Sequence, residues 1–513
     1  MQKIKLDSVA EGSLSHPPSW VRSAIFYQIF PDRFAKSDLL KKPVNIEPWD
    51  TPPTLFGYKG GDLYGVIEQL DYLQDLGVTA MYFTPVFSST ANHRYHTHDY
   101  YHVDWILGGN EAFRSLLHAA HSRGMKVILD GVFNHASRGF YQFNHTLENG
   151  KFSPFLDWFH FNHHWLESGE PINAYAIQHG RHKNAAHETS LVAFGYQAWW
   201  DIPALPKFNT NNPEVREYLF NVAEYWTKFG IDGWRLDVPM EINDDSFWQE
   251  FRRRVRAINP EAYIVGEIWE DAERWLRGDQ FDGVMNYLFS RAAIGFFLAQ
   301  HLNHHELQKC GYRDIRAIGA HEFADKLGAL MTMYPKAATY SQMNLLGSHD
   351  TPRILTAGSG DVAGIRMAFL CLMTIPGAPC IYYGDEVGMP GNHDPDCRRT
   401  FSWDSLTWDR DLREFIKSCT SIRRKNPVFT EGDFKIIHHS EDLVAYSRAS
   451  DKSEAIVLFN VSSSEKQVTL PLRLLDGATT KTVMNLMTKT SFSVEKNEIK
   501  VTISARSGQV LLA

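Results

Sequence analysis

The chain has 513 residues, of which 43% are hydrophobic and 22% charged, so it is not intrinsically disordered and is long enough for about three domains. Its formal net charge is −8 and it contains no long Lys/Arg block, so we expect neither a nucleic-acid partner nor binding to an anionic membrane surface. No apolar run approaches the ~18 residues of a membrane span.

The N-terminus and the cysteines bear on the cellular compartment. The segment MQKIKLDSVAEGSLSHPP has no apolar h-region and predicts no secretory signal. The five cysteines are scattered and lack C-x-x-C spacing, which disfavours both a disulfide framework and a zinc site. We therefore predict a cytoplasmic protein.

Between residues 20 and 428, short apolar runs alternate with amphipathic helical segments. The segments 66–77 and 111–124 carry apolar residues at i, i+3 and i+4 and end in glycine, which is typical of helices. This alternation predicts an α/β fold with a (β/α)8 TIM barrel. The eight predicted strands lie within residues 24–30, 78–83, 126–130, 231–237, 262–267, 281–287, 341–347 and 379–384.

Two regions depart from this alternation. Residues 136–205 are rich in His, Asn, Trp and Phe without periodicity, which predicts an excursion domain over the barrel mouth. From about residue 430, short alternating strands with polar turns predict a C-terminal antiparallel β-sandwich. The predicted division is an N-terminal tail (1–19), the barrel (20–135 and 206–428), the inserted domain (136–205) and the sandwich (429–513).

Polar residues follow several of the predicted barrel strands. Catalytic groups of such barrels lie at the C-terminal ends of the strands. A single acidic residue at such a position is usually a helix cap or a surface group. That explanation is poor for four carboxylates, two histidines and an arginine at the same rim. The residues are Asp130, His135, Arg235, Asp237, Glu267, His349 and Asp350.

Converging carboxylates without a phosphate loop or metal-ligand spacing suit the hydrolysis of glycosidic bonds. That reaction needs one protonated and one ionised carboxyl group. We expect Arg235 to keep Asp237 ionised and apolar surroundings to raise the pKa of Glu267. Asp350 would bind sugar hydroxyls.

Six motifs, among them DGVFNH (130–135), GWRLDVPME (233–241) and LLGSHDTPR (345–353), stand in the order seen in one enzyme family. The sequence resembles the α-amylase family of glycoside hydrolases, family 13, over nearly its whole length. The resemblance implies a retaining mechanism with Asp237 as nucleophile, Glu267 as general acid/base and Asp350 as transition-state stabiliser. The motifs are GVTAMYFTPVF (77–87), DGVFNH (130–135), GWRLDVPME (233–241), GEIWE (266–270), LLGSHDTPR (345–353) and GAPCIYYGDEVGM (377–389).

The resemblance also implies substrate-binding residues. Tyr95 matches a tyrosine that stacks under the sugar at the cleavage site, and Asp394 and Arg398 match a pair that contacts the neighbouring glucose. Glu241 matches a glutamate linked to bond preference. The usual supporting residues are matched by Asp130, His135, Arg235 and His349.

Two further segments point to a subgroup. YQIFPDRF (27–34) and LPKFN (205–209) resemble the neopullulanase, cyclomaltodextrinase and maltogenic amylase group. The group acts on cyclodextrins, maltooligosaccharides and pullulan, which implies α-1,4 cleavage and α-1,6 cleavage of pullulan or branched oligosaccharides. One alternative is a transglycosylase or debranching enzyme of short branched α-glucans. Another is a non-catalytic glucan-binding homologue, which the three carboxylates argue against.

The sequence departs from the group at several positions. The barrel begins by about residue 20, so the N-terminal domain that builds the group's dimer is not expected, and a homodimer would need another interface. AKSDLLKKPVN (35–45) replaces the calcium loop, and calcium stays an open alternative with only Asp38, Gly61 and Asp62 as candidate ligands. Met240 and His96 replace residues usual in the cleft wall.

Two clusters outside these motifs have competing interpretations. The histidines at 93, 96, 98 and 102 suit a polar loop at the barrel mouth better than a metal site, because no zinc spacing accompanies them. Trp199 and Trp200 suit a sugar platform and an apolar plug equally well.

Overall fold

The computed structural model describes residues 16–170, 172–175, 189–472 and 482–513. Most of the predicted N-terminal tail and residues 171 and 176–188 of the predicted inserted domain lie outside the described residues. No helix of the described part of the chain is long and apolar enough to cross a membrane.

Eight parallel strands close into a barrel in the order β1-β10-β9-β8-β7-β6-β5-β2. Each predicted strand is present, so the predicted TIM barrel is confirmed. Between β2 and β5 in the chain, two further strands, β3 and β4, form a separate antiparallel ribbon. The strands are β1 (Phe26–Ile29), β2 (Ala80–Phe83), β3 (Phe87–Ser89), β4 (Thr97–Val103), β5 (Lys126–Gly131), β6 (Gly233–Leu236), β7 (Tyr263–Gly266), β8 (Gly283–Asn286), β9 (Met343–Leu345) and β10 (Ala378–Tyr382).

The pairing of β6 with β7 sets the level of the residues that follow them. Leu236 is paired with Gly266, so Asp237 and Glu267 leave the barrel side by side. Glycine is required at the start of β6, because a Cβ on Gly233 would lie 2.2 Å from the carbonyl oxygen of Tyr263. The two strands can approach this closely only because residue 233 has no side chain.

Helices follow most barrel strands and cover the outside of the barrel. The helix predicted over 66–77 is interrupted at Gln69, and Gly77 ends it with a φ of 93°. The helices are α1 (Pro31–Phe34), α2 (Leu63–Glu68), α3 (Leu70–Leu76), α4 (Gly109–Ser122), α5 (Tyr141–Asn149), α6 (His163–Ser168), α7 (Ser190–Ala193), α8 (Pro213–Phe229), α9 (Asp245–Ile258), α10 (Tyr287–Phe297), α11 (His304–Leu307), α12 (Ala320–Thr332), α13 (Lys336–Thr339), α14 (Ile354–Ala357), α15 (Val362–Thr374), α16 (Arg410–Lys425) and α17 (Val428–Glu431).

The described part of the region between β5 and α8 packs around aromatic rings. Phe143 contacts Phe159, Phe161 and Tyr196 with ring centroids 4.8–5.6 Å apart. An aromatic cluster of this kind needs no helical or strand periodicity. This explains why the sequence of the region shows none.

The C-terminal strands form an eight-stranded antiparallel sheet in the order β11-β12-β13-β18-β15-β16-β17-β14. Ile456 of β13 and Leu470 of β14 share one hydrophobic cluster although their strands are far apart in this order, so the sheet folds into two layers. The predicted sandwich is confirmed, whereas β11, β16 and β17 escaped prediction. The strands are β11 (Asp433–His439), β12 (Leu443–Ala449), β13 (Glu454–Asn460), β14 (Lys466–Pro471), β15 (Thr482–Asn485), β16 (Ser491–Glu495), β17 (Glu498–Ile503) and β18 (Ser507–Leu512).

Candidate active site

The site is built around the guanidinium of Arg235, which is completely buried. Its Nη1 donates to Asp130 at 2.8 and 2.9 Å and to Oδ1 of Asp237 at 2.9 Å. Its Nη2 lies 3.0 Å from Oε2 of Glu267, without the alignment of a hydrogen bond. One cation facing three carboxyl groups favours retention of a proton among them.

Asp237 directly follows β6 and is 7% exposed. Burial raises its pKa well above the ordinary value, and Glu267 and Asp130 add to the rise, while Arg235 lowers it. The sequence predicted that Arg235 keeps this carboxyl ionised. The contact is present, but the net shift in the free enzyme is upward because the group is buried beside two other carboxyls.

Glu267 follows β7 and is held by donors on both oxygens. The amide of Val238 donates to Oε2 at 3.1 Å, and Nε1 of Trp269 donates to Oε1 at 3.1 Å. Burial raises the pKa of Glu267 and Asp350 adds to the rise, as the sequence led us to expect, while Arg235 and both donors lower it. Trp269 stacks on Tyr287 with centroids 3.5 Å apart. Sequence reasoning missed Trp269, although it stands in the GEIWE motif.

Val238 lies in the left-handed region, with φ 35° and ψ 51°. This conformation is strained for a β-branched residue. It turns the chain directly after Asp237 and presents the amide of Val238 to Glu267. No residue pattern in the motif indicates this turn.

Asp130 connects Arg235 to the next part of the site. The hydroxyls of Tyr82 and Tyr95 donate to its Oδ2 at 2.8 and 2.9 Å. Burial raises the pKa of Asp130 to about 6, against the lowering by Arg235 and the two hydroxyls. Tyr82 was not predicted as a site residue.

His349 completes this network in its neutral form, because burial lowers its pKa well below the ordinary value. Gln28 Nε2 lies 2.8 Å from Nδ1 of His349, and the Tyr95 hydroxyl lies 2.6 Å from Nε2. Since Tyr95 donates to Asp130, Nε2 of His349 is the donor to Tyr95. The two rings stack at 5.4 Å.

Asp350 faces the open side of the site, with its side chain 32% exposed. Its oxygens lie 3.2 Å from Nε2 of His349 and 3.4 Å from Nη2 of Arg398. Arg398 donates to the carbonyl of His349 at 2.9 Å and lies 3.0 Å from Asp394. The structure therefore brings the predicted pair Asp394 and Arg398 next to Asp350.

His135 is a further predicted site residue, and its side chain lies against Trp199. It is 1% exposed, burial lowers its pKa to about 3, and its Nε2 has no hydrogen-bond partner among the described residues. Its ring stacks on Trp199 at 5.1 Å, and Trp199 stacks on Trp200 at 4.8 Å. Trp200 is 69% exposed, so it is not an apolar plug.

Glu241 is paired with Lys207 of the LPKFN motif. Lys207 Nζ lies 3.1 Å from Oε2 of Glu241 and donates to its carbonyl oxygen at 3.0 Å. Sequence reasoning noted the motif but assigned Lys207 no role. The spacing of 34 residues between them gives no local signal of this contact.

Comparison with known proteins extends these observations. The model of the alpha-amylase catalytic domain matches residues 28–431. The chain is 42% identical over 448 residues to a cyclomaltodextrinase of a Bacillus species, covering 86% of this chain and 74% of that protein. It is 40% identical over 498 residues to neopullulanase 2 of Thermoactinomyces vulgaris, covering 96% and 78%. The native debranching enzyme of Nostoc punctiforme superposes with a TM-score of 0.85 at 44% identity, covering 97% of this chain and 99% of that chain.

The family match spans all the barrel strands after the first two residues of β1, and therefore every residue of the cluster around Arg235. The chain belongs to the α-amylase family of glycoside hydrolases and is similar to its cyclomaltodextrinases and neopullulanases.

Proposed function

We propose that this enzyme hydrolyses α-1,4-glucosidic bonds of cyclodextrins and maltooligosaccharides with retention of configuration, and α-1,6 bonds of pullulan or branched oligosaccharides. The cluster of three carboxyl groups around Arg235 carries the proposal, with contacts of 2.8–3.0 Å. A retaining reaction needs one protonated and one ionised carboxyl group. A buried cluster that shares one cation supplies both.

In the first step, Glu267 donates its proton to the glycosidic oxygen. The bond between that oxygen and C1 of the sugar breaks, and a carboxylate oxygen of Asp237 bonds to C1. Arg235 stabilises the ionised form of Asp237 at 2.9 Å. Val238 and Trp269 hold Glu267 in position and stabilise its ionised form after it has lost the proton.

In the second step, Glu267 takes a proton from water and the water oxygen attacks C1. The bond from Asp237 to C1 then breaks and the carboxylate is restored. Asp350 is the partly exposed carboxylate and is placed to accept hydrogen bonds from sugar hydroxyls during both steps. Uncharged His135, whose Nε2 has no hydrogen-bond partner among the described residues, contributes a ring nitrogen to the sugar, and uncharged His349 orients the hydroxyl of Tyr95.

The remaining predicted residues line the substrate cleft in this proposal. Tyr95 stacks under the sugar whose bond is cut, and Asp394 and Arg398 bind the neighbouring glucose. Glu241, fixed by Lys207, contributes to the choice between α-1,4 and α-1,6 bonds. The similarity to a cyclomaltodextrinase and a neopullulanase supports these substrate classes.

A substrate panel tests the proposal. The enzyme is incubated with β-cyclodextrin, maltotriose, pullulan and soluble starch, and the products are separated by chromatography. We expect cyclodextrin and short oligosaccharides to be consumed faster than starch. A clear preference for soluble starch over β-cyclodextrin would contradict the proposed substrate class.

The Asp237→Asn variant tests the assigned chemistry. We expect turnover to fall by about four orders of magnitude, because the amide cannot form the covalent bond to C1. Its unfolding temperature should stay at or above that of the wild type, since a buried carboxyl with a raised pKa is removed. Asp71→Asn, at a carboxylate whose side chain is 83% exposed, is the control and should retain full activity.

A second candidate function is debranching of short branched α-glucans. The similarity over nearly the full length of the Nostoc punctiforme debranching enzyme favours it. Hydrolysis of 6-O-maltosyl-β-cyclodextrin distinguishes the two. Release of maltose with an intact ring indicates debranching, whereas ring opening indicates cyclodextrin hydrolysis.

The cytoplasmic location and the mode of any dimer stay proposals. All five cysteines are free thiols, and four of them are buried, which agrees with a reducing compartment.

A further inference from the structure

Two lysine ammonium groups are enclosed by oxygen atoms in the 36–62 segment, which joins α1 to α2. The side chain of Lys59 is completely buried. Its Nζ donates to the carbonyls of Pro48 and Thr51 at 2.8 and 2.7 Å and to the Thr51 hydroxyl at 2.6 Å. It also lies 3.3 Å from a carboxylate oxygen of Glu47. Backbone carbonyls, a hydroxyl and a carboxylate are the oxygen ligands that hard cations take in proteins.

Lys42 provides the second ammonium group. Its Nζ lies 2.8 Å from Oδ2 of Asp62 and donates to the carbonyl of Ile106 at 2.8 Å. The Asp62 side chain is completely buried. Its Oδ2 also accepts from the amide of Ser37 at 3.0 Å, and its Oδ1 accepts from the amide of Gly65 at 2.8 Å. Both oxygens of Asp62 therefore already have nitrogen donors.

These contacts do not fit the calcium site that the family resemblance left open. Calcium takes six to eight oxygen ligands at about 2.3–2.6 Å. Of the candidate ligands, Asp62 is occupied by Lys42 and Asp38 is exposed. A positive charge 2.8 Å from Asp62 would repel a divalent ion bound to the same carboxylate. In the described residues, no three His, Cys, Asp or Glu side chains form a group able to hold a metal.

The 36–62 segment supports the cleft. The side-chain amide of Asn92 donates to the carbonyls of Leu55 and Gly57 at 3.1 and 2.9 Å, in the loop that carries the predicted sugar-stacking tyrosine. On the other side, Nε1 of Trp49 donates to the carbonyl of Phe401 at 3.0 Å. The segment is therefore hydrogen-bonded to the loop that carries Tyr95 and to Phe401, three residues after Arg398.

We propose that the ammonium groups of Lys42 and Lys59 take the structural place of a bound calcium ion in the 36–62 segment. Lys59 faces the carboxylate of Glu47 and bonds the carbonyls of Pro48 and Thr51, and Lys42 faces the carboxylate of Asp62 and bonds the carbonyl of Ile106. A bound cation would make the same kinds of contact there. The fold and the cleft of this enzyme are consequently independent of calcium.

Calorimetry of the unmodified enzyme gives the first test. Unfolding is recorded in millimolar EDTA and in millimolar calcium chloride, and the calcium content of the purified protein is measured by mass spectrometry. We expect unfolding temperatures that agree within about 1 °C, because a ligand that binds the folded state would raise this temperature by mass action. One calcium ion per chain, a fall in EDTA or a rise in calcium overturns the proposal.

A matched pair of variants gives the second test. Lys42→Met removes the ammonium and leaves Asp62 buried without its counter-ion, so we expect the unfolding temperature to fall by about 5 °C or more. Lys41→Met changes an exposed lysine of the same segment and should leave it unchanged. Equal effects of the two changes, or no effect of Lys42→Met, contradict the proposal. If Lys42→Met does not fold, Lys59→Met is measured against the same control.

Discussion

Arg235 illustrates why a buried charge is tolerated in this protein. An uncompensated guanidinium in the core would cost several kcal/mol, but three carboxyl groups lie within 3.0 Å of it. The same burial that makes the cluster costly raises the pKa of Glu267 and favours the protonated state that the proposed acid catalyst requires. The burial that destabilises the folded protein is therefore the same burial that sets the protonation of the site.

The indole of Trp269 is expected to tune the acid catalyst. Its hydrogen bond favours ionised Glu267, so Trp269→Phe should raise the pKa of Glu267. Loss of activity at high pH follows deprotonation of the acid, so this limb of the profile of kcat/KM should move to higher pH, by up to about one unit. The measurement is the pH dependence of hydrolysis of a soluble oligosaccharide.

Phenylalanine keeps the stacking on Tyr287, so the fold should not change. The matched control is Trp105→Phe, at a tryptophan that is 65% exposed. It should leave the profile in place. If the high-pH limb of kcat/KM in Trp269→Phe is unchanged or moves to lower pH, Trp269 does not lower the pKa of Glu267 as proposed.

The strands β6 and β7 act together as one positioning element. Their register carries Asp237 and Glu267 to the same level, and the amide of Glu267 donates to the carbonyl of Leu236 at 2.9 Å. The spacing of the two strands depends on a close backbone approach at Gly233, near the opposite end of the strands from the carboxyl groups. Catalytic geometry at the rim therefore depends on packing at the bottom of the barrel.

Gly233→Ala tests this dependence. The new methyl group would lie 2.2 Å from the carbonyl oxygen of Tyr263, which forces β6 and β7 apart. We expect a loss of about 3 kcal/mol in the free energy of unfolding and a lower kcat, measured by denaturant titration and steady-state kinetics. Gly328→Ala in α12 is the control, because a Cβ there meets nothing within 4 Å. It should be neutral or stabilising by up to about 1 kcal/mol. Equal stabilities of the two variants would rule out the packing role.

The barrel and the C-terminal sheet share one continuous core. Val457 and Phe459 of β13 belong to the same hydrophobic cluster as the barrel strands. Arg448 of β12, completely buried, donates to the carbonyls of Thr374 and Phe429 at 2.6 and 2.7 Å and to that of Gly432 at 2.8 Å. Because it pairs backbone groups of both parts, we expect them to unfold in a single transition.

Arg448→Met is predicted to weaken this coupling. Three buried carbonyls lose their donor, which should cost about 3 kcal/mol and separate the calorimetric transition of the sheet from that of the barrel. Lys435→Met, at an exposed position of β11, serves as the control and should retain the single transition. A single unshifted transition in Arg448→Met would show that the apolar contacts alone couple the two parts.

The barrel was predictable because its strands are buried on both faces and therefore form continuous apolar runs that any window of the sequence displays. In the C-terminal region the sequence predicted strands only in DLVAYSRAS (442–450), EAIVLFNVS (454–462), KQVTLPL (466–472), TKTVMNLM (480–487) and SGQVLLA (507–513). The strands β11, β16 and β17 lie outside these segments and escaped prediction for the opposite reason. In these strands, exposed residues are interspersed with half-buried or buried ones, and several of the residues are charged. The hydrophobic signal of these strands in the sequence is therefore weak. The proposed domain boundaries rest on the same changes in sequence pattern.

For the site, position at the end of a strand was enough to nominate Asp130, Arg235, Asp237 and Glu267, since parallel strands of a barrel all end at one rim. Contacts between distant segments were not accessible in this way. The turn at Val238, the indole of Trp269 on Glu267 and the ammonium of Lys42 on Asp62 depend on backbone angles and side-chain directions. The amino-acid pattern nominates the candidate reacting groups because chain order sets where strands end. Their protonation and support arise from burial and long-range packing that exist only in the folded chain.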